Sequence, residues 1–314
     1  MRKFLKLGLI IALSALILQG CSNNYSPADT NKITVVCTNF AAYDLTKNVV
    51  GSAGEVIMLL KPGEESHSFE PTPKQIIEIS NAALFVFGGG PSDSWADSIF
   101  KSAQNPPKAV RMLELSSKLY EQQDNIIEGH DHDHAGHSHE YDEHVWTSPK
   151  NAIKIVKGIL SALLEADSEN AAVYSQNASE YIQKLEKLDD DFARMVKGAK
   201  RKTVVFCDKF PFLYLVKEYG LEYIAAFPGC YEGAQPNAKT VANLIDTVKA
   251  ENIPAVFYIE LSNMQMANTV AADTGAAPLL LHSCHGVTKA EFDNNQSYLS
   301  LMRQNLLNLK EALY

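Results

Sequence analysis

Seven apolar residues in the middle of the chain constrain the fold more than any other feature. Tyr174, Ala178, Tyr181, Leu185, Leu188, Phe192 and Met195 follow one another at intervals of 4, 3, 4, 3, 4 and 3. That spacing keeps one face of an α-helix apolar without a break. Asp167-Ser168 offers the start, and the pattern runs to about Ala199. About 30 residues at 1.5 Å each give a rod of about 45 Å, long enough to join two lobes. On both sides of this rod, short β-branched and aromatic runs alternate with helical patterns. Before it come strands at Ile33 to Val36, Val56 to Leu60 and Leu84 to Phe87. Their helices are Ala42 to Val50, Thr72 to Ser80 and Trp95 to Ser102, and Pro149 to Leu164 leads into the rod. After it come strands at Thr203 to Phe206, Tyr223 to Phe227, Ala255 to Ile259 and Leu279 to Leu281. Their helices are Phe212 to Tyr219, Ala238 to Glu251, Met264 to Thr274 and Tyr298 to Leu313. Alternation of this kind predicts an α/β fold of two lobes, each a parallel-type sheet with flanking helices.

The first residues bear on the compartment. Arg2, Lys3 and Lys6 precede an apolar run from Leu7 to Leu18, which ends in Leu18-Gln19-Gly20-Cys21. A dozen apolar residues are too few to span a bilayer and suit the core of a signal peptide. The Leu-x-Gly-Cys ending resembles a lipobox. The expectation is therefore a lipoprotein signal peptide over residues 1–20, lipidation at Cys21 and a polar tether over 21–32. The protein would work outside the cytoplasm, lipid-anchored at the outer face of the membrane. Removing Arg2, Lys3 and Lys6 takes the formal charge from −9 to −12. Such an acidic chain has no electrostatic footprint for nucleic acid.

Ligands of open α/β sheets bind beyond the carboxyl ends of the strands. In this chain those positions hold Cys37, His67, Cys207-Asp208, Cys230, Glu260, and the run His282, Cys284 and His285; His144 precedes the helix at Pro149. Histidine and cysteine at strand ends in both halves point to a metal held between two lobes. Exported cysteines can also oxidise, and Cys230 with Cys284 is one conceivable pair. Cys37 reads as a small buried residue. Gly88-Gly89-Gly90 lacks the phosphate-loop spacings and reads as a turn. Six of the nine histidines fall in residues 130–144. His130, His132, His134, His137 and His139 alternate there with small and acidic residues, a composition that cannot pack a core. The segment 128–144 is expected to be a loop that gathers metal weakly, because its donors are not preorganised.

Two segments sharpen this into a family. Pro62-Gly63-Glu64-Glu65-Ser66-His67-Ser68-Phe69-Glu70-Pro71 and Asp142-Glu143-His144-Val145-Trp146-Thr147-Ser148-Pro149 resemble two motifs of the solute-binding lipoproteins of zinc and manganese ABC importers (cluster A-I). The first is Pro-Gly-x-x-x-His-x-x-Glu-Pro, the second Asp-x-His-x-Trp-x-x-Pro. The order of the motifs, the His-rich insert, the long helix and the Leu301 to Leu309 ending extend the resemblance over nearly the whole chain after Cys21. It implies two lobes joined by one rigid helix: residues 33–166, a linking segment 167–199, and residues 200–314. It also implies a divalent metal in the cleft, only small lobe movements, and delivery of the metal to an ABC permease and its ATPase by a monomer. By resemblance, His67 and His144 are ligands from the first lobe.

The second half departs from the family pattern. Cys207 stands where the family usually has His or Glu, and Leu281-His282-Ser283-Cys284-His285 lacks the usual carboxylate. Nitrogen and sulfur donors favour zinc. The expected ligands are thus His67, His144, Cys207 and His285, with His282, Cys284, Asp208 and Glu260 as alternatives, and Zn²⁺ as cargo with Mn²⁺ as the alternative. A surface adhesin or metal buffer of the same fold is a further reading. A zinc hydrolase is disfavoured, since no HExxH pattern is present; the chain is not expected to be an enzyme.

Overall fold

A computed structural model describes residues 32–104, 106–121, 141–228 and 238–314. In the first half, β1 (Ile33–Cys37), α1 (Phe40–Val50), β2 (Gly54–Met58), α2 (Pro73–Asn81), β3 (Leu84–Phe87), α3 (Trp95–Ser102) and β4 (Lys108–Arg111) alternate as expected. Next come α4 (Pro149–Ala166) and the long α5 (Ala171–Gly198). The second half runs β5 (Thr203–Phe210), α6 (Leu213–Tyr219), β6 (Glu222–Pro228), α7 (Ala238–Ala250), β7 (Ala255–Tyr258), α8 (Gln265–Thr274), β8 (Ala277–Leu280), α9 (Lys289–Asp293) and α10 (Tyr298–Leu313).

Both sheets are parallel and four-stranded, in the orders β2-β1-β3-β4 and β6-β5-β7-β8. In each, the chain reverses its direction of growth beside the first strand, the topological switch where open sheets accept ligands. Side chains alternate across the strands. Val35, Cys37, Leu84 and Val86 face inward, whereas Val36, Phe85 and Phe87 belong to a separate outer cluster. The second sheet divides the same way: Val204 and Phe206 face inward, Val205 and Cys207 outward.

The inner faces of the two sheets share one apolar core, which includes α5. All seven stripe residues of α5 are buried, along with Val196. The helix has 28 residues, about 42 Å at the usual rise, and packs against α1, α4 and α10. Its regular part begins later than the sequence suggests, because Ser168–Asn170 form a 3-10 turn first. Elsewhere the local signals act as expected. Thr72 caps α2 in a reciprocal box with Gln75, and Pro73 fills the first turn. Residues 33–314 form one compact unit. The lobes are also joined by direct hydrogen bonds: Phe40 N–H to His285 O (3.0 Å), Gly63 N–H to Val287 O (2.7 Å) and Trp146 Nε1–H to Ser283 O (2.9 Å).

Cys21, Cys230 and the histidines from His130 to His139 lie outside the described residues. Cys37, Cys207 and Cys284 are free, buried thiols. No helix among the described residues is long and apolar enough to cross a membrane.

Candidate metal centre

His67 lies in the loop between β2 and α2, after the Pro62-Gly63 turn. Gly63 has φ +90° there, a conformation that suits a residue without Cβ. His144 precedes a 3-10 turn, Val145–Thr147, and Ser148 then caps α4. His285 follows β8 in the other half. Cys284 just before it adopts φ 59°, a left-handed backbone that turns the chain at this point.

The three imidazoles meet edge-on. Ring centroids are 5.7 Å apart for His67 and His144, 5.1 Å for His67 and His285, and 5.2 Å for His144 and His285. Trp146 closes one side, 5.1 Å from the His285 ring. Glu143 completes the group: one ligand atom from each of His67, Glu143, His144 and His285 lies within 4.8 Å of the others. A tetrahedral ion with bonds near 2.0–2.1 Å needs donors about 3.4 Å apart, so a small contraction closes the shell. The cleft beside them has a volume of about 30 Å³, room for one ion or one water rather than an organic substrate.

Hydrogen bonds set the rings. His144 Nδ1 lies 3.2 Å from Asp142 Oδ1, and the Nε2 is buried with no partner. His67 Nδ1 donates to Ser92 Oγ at 2.8 Å, which leaves Nε2 for a ligand. Ser92 Oγ in turn donates to Glu143, and Ser92 N–H donates to the second oxygen of Glu143 at 3.0 Å. The Nδ1 of His285 is also buried and unpartnered. Orphaned ring nitrogens in a dry site cost stability unless something fills them, and a cation satisfies both. Carboxylate partners behind metal-binding histidines orient such rings. Gly90 is needed here because a Cβ at that position would fall 2.3 Å from Glu143 Cβ.

Burial, with help from His144 and Lys209, pushes His67 down to about 3. Burial, His67, His144 and Lys209 hold His285 well below the ordinary imidazole value. Both rings are therefore neutral donors. Burial opposes a charge on His144 too, but Asp142, Glu143 and Glu260 outweigh it and hold that ring above the ordinary value.

The remaining candidates from the sequence lie elsewhere. Cys207 is not brought to the cluster. It is 3% exposed among the outward apolar residues of the second sheet, and burial followed by the Asp208 charge pushes its thiol up to about 12. The register of β5 against β6 shifts between Phe206 and Lys209. This irregularity re-aims the strand end, so that Lys209 rather than Cys207 lines the cleft. Asp208 is held by Ser262 and the backbone of Ile259. His282 Nδ1 accepts from Cys284 N–H at 2.9 Å; its Nε2 has no hydrogen-bond partner but faces Glu291 at 3.5 Å, and the ring is not one of the four that converge. Cys284 is wholly buried in the shared core. Glu260 lines the cleft but does not join the four-residue cluster; Ser283 N–H (2.7 Å) and Ser283 Oγ hold its oxygens, as Ser92 holds those of Glu143. Glu143 is the residue that sequence reasoning passed over; its place between Asp142 and His144 was the available signal.

Comparison with known proteins identifies the family. Residues 35–312 match the family model described as "Zinc-uptake complex component A periplasmic". The high-affinity zinc uptake system protein ZnuA of Bacillus subtilis is 33% identical over 315 residues, covering 97% of this chain and 96% of the relative. The zinc-binding lipoprotein AdcA of Streptococcus pneumoniae is 32% identical over 313 residues, and the match spans 61% of that longer protein. Among solved structures, the Zn(II)-bound ZnuA-like domain of pneumococcal AdcA superimposes with a TM-score of 0.75 at 27% identity, over 90% of this chain and 99% of the domain. The chain thus belongs to the zinc-uptake component A family, whose members are solute-binding proteins and not enzymes.

Proposed function

We propose that this protein captures Zn²⁺ outside the cytoplasm and delivers it to the permease of an ABC importer, whose ATPase drives uptake. The ligands are His67 and His144 from a first lobe (residues 33–166) and His285 from a second (200–314), with Glu143 as the fourth donor. The segment 167–199 links the lobes, and lipidation at Cys21 holds the protein at the membrane. The observation that carries this reading is the convergence of three imidazoles and one carboxylate on a single point. Three nitrogen donors and one oxygen suit zinc, whereas manganese prefers oxygen and binds such sites more weakly. The family assignment and the zinc-binding relatives support the same choice.

The test is a competition titration of the purified chain with Zn²⁺ and Mn²⁺, beside His67→Ala, His144→Ala and His285→Ala. Wild type should take one tightly held Zn²⁺ in preference to Mn²⁺, and each substitution should weaken it by about tenfold or more. A preference for Mn²⁺ would support the manganese alternative. Unaltered zinc affinity in all three variants would refute the site.

A further inference from the structure

Lys209 occupies the cleft that the imidazoles line. It sits just past the register shift in β5, and its side chain is only 18% exposed. Glu65, His67, His144, Glu260 and His285 share that cleft with it. The ammonium lies 3.7 Å from Glu65 Oε1. Glu65 comes from the first half of the chain, two positions before His67, so the pair bridges the cleft from β5 to the loop that carries a ligand. No other hydrogen bond or ion pair is found for the ammonium among the described residues.

A lysine here is costly. It gives up hydration and side-chain freedom for a single long ion pair with a half-exposed partner. An uncharged side chain would fill the same space without that cost. A fixed positive charge next to a dipositive ion opposes its binding, and the low exposure of the stem limits screening. The charge already reaches the rings of His67 and His285, where it disfavours a second positive charge.

We propose that Lys209 tunes the affinity of the metal cleft: its ammonium, tethered across the cleft by Glu65, weakens the hold on the bound divalent cation and speeds its release. The proposal rests on the metal-capture reading above. Its physical content is a repulsion partly offset by Glu65. Loss of the lysine charge tightens binding, and loss of the glutamate charge weakens it. For a delivery protein, a ligand shell strong enough to capture zinc needs a counterweight if the ion is to leave again.

The experiment measures Zn²⁺ affinity by chelator competition and Zn²⁺ dissociation by stopped flow. It compares the full chain with Lys209→Met, Lys209→Arg and Glu65→Gln at low and high salt. Lys209→Met should bind about tenfold more tightly, chiefly through slower dissociation, and its advantage should shrink at high salt. Lys209→Arg should stay within about twofold of wild type, because it keeps the charge. Glu65→Gln should weaken binding by about threefold. Lys209→Gln serves as a second neutral variant should the Met variant fail to fold. Neutral variants that bind zinc equally or more weakly, or an Arg variant that behaves like Met, would overturn the proposal. Failure of wild type to bind zinc, or its indifference to His285→Ala, would instead overturn the metal-capture reading itself.

Discussion

Asp44 carries a burial cost that can be measured. It is 6% exposed on α1. Its Oδ2 accepts from Tyr298 N–H at 3.0 Å, Asn48 Nδ2 at 3.2 Å and Tyr181 OH at 3.3 Å, and so ties α1 to both α10 and α5. Burial raises its carboxyl from 3.8 to about 6, against the lowering effect of Tyr298, Tyr181 and Lys47. In the unfolded chain the ordinary value applies. Between about pH 4 and pH 6 the unfolded chain has therefore released a proton that the native protein still holds, and stability falls as pH rises. A difference of about two units corresponds to about 3 kcal/mol, lost in full above about pH 6. Asp44→Asn keeps an acceptor oxygen for Tyr298 and Tyr181 but has no charge to bury. Urea unfolding of wild type and variant, with metal chelated throughout, isolates the effect, since all other groups titrate in both. The stability of wild type minus that of the variant should fall by about 2.5 kcal/mol from pH 4 to pH 7.5, the first part of the loss falling below pH 4. A difference that stays flat, or grows with pH, would refute the reasoning.

Other expectations follow from single features. Leu185→Ala removes a side chain that is 0% exposed in the shared core and should cost about 3 kcal/mol in urea unfolding; a loss under about 1 kcal/mol would mean that α5 does not seal that core. Cys207→Ser should leave zinc affinity within about twofold of wild type, because the residue belongs to the outward apolar cluster and not to the group of imidazoles; a tenfold loss in a folded variant would make the thiol a ligand. Deletion of residues 128–140 should preserve one tight zinc event in calorimetry, and loss of that event would sink the cleft assignment.

What the sequence reveals here depends on how local each signal is. The α5 stripe is set by a helical period, so all seven of its residues could be named in advance. The Thr72-Pro73 start of α2 is equally local. β4 escaped because Lys108–Arg111 is a four-residue edge strand with a charged residue at each end, and only its pairing with β3 defines it. Its charged ends suit an exposed edge. The placement of Cys207 failed for a related reason. β5 runs on past Phe206 to Phe210, so alternation turns Cys207 outward beside Val205; that extension and the later register shift are properties of paired strands that nothing in Phe206-Cys207-Asp208-Lys209 announces. His67, His144 and His285 were legible as donors at strand ends or before a helix. Glu143 was less so, since a glutamate beside a ligand is ordinarily a solvated neighbour; here it is 1% exposed and is held by Ser92, a residue far away in the chain.

The backbone links from Phe40 to His285 and from Gly63 to Val287 carry a mechanical consequence. The first fastens the backbone of His285 and the second fastens the loop that carries His67, so ligands from both halves sit on a stitched backbone. The mouth of the cleft beside them is framed from both halves, by Glu64 and Glu65 on one side and by Lys209, Pro211 and Leu261 on the other. Widening that mouth would therefore break backbone hydrogen bonds before it parted the imidazoles, which ties the rigidity of the site to the seam between the halves rather than to the long helix alone.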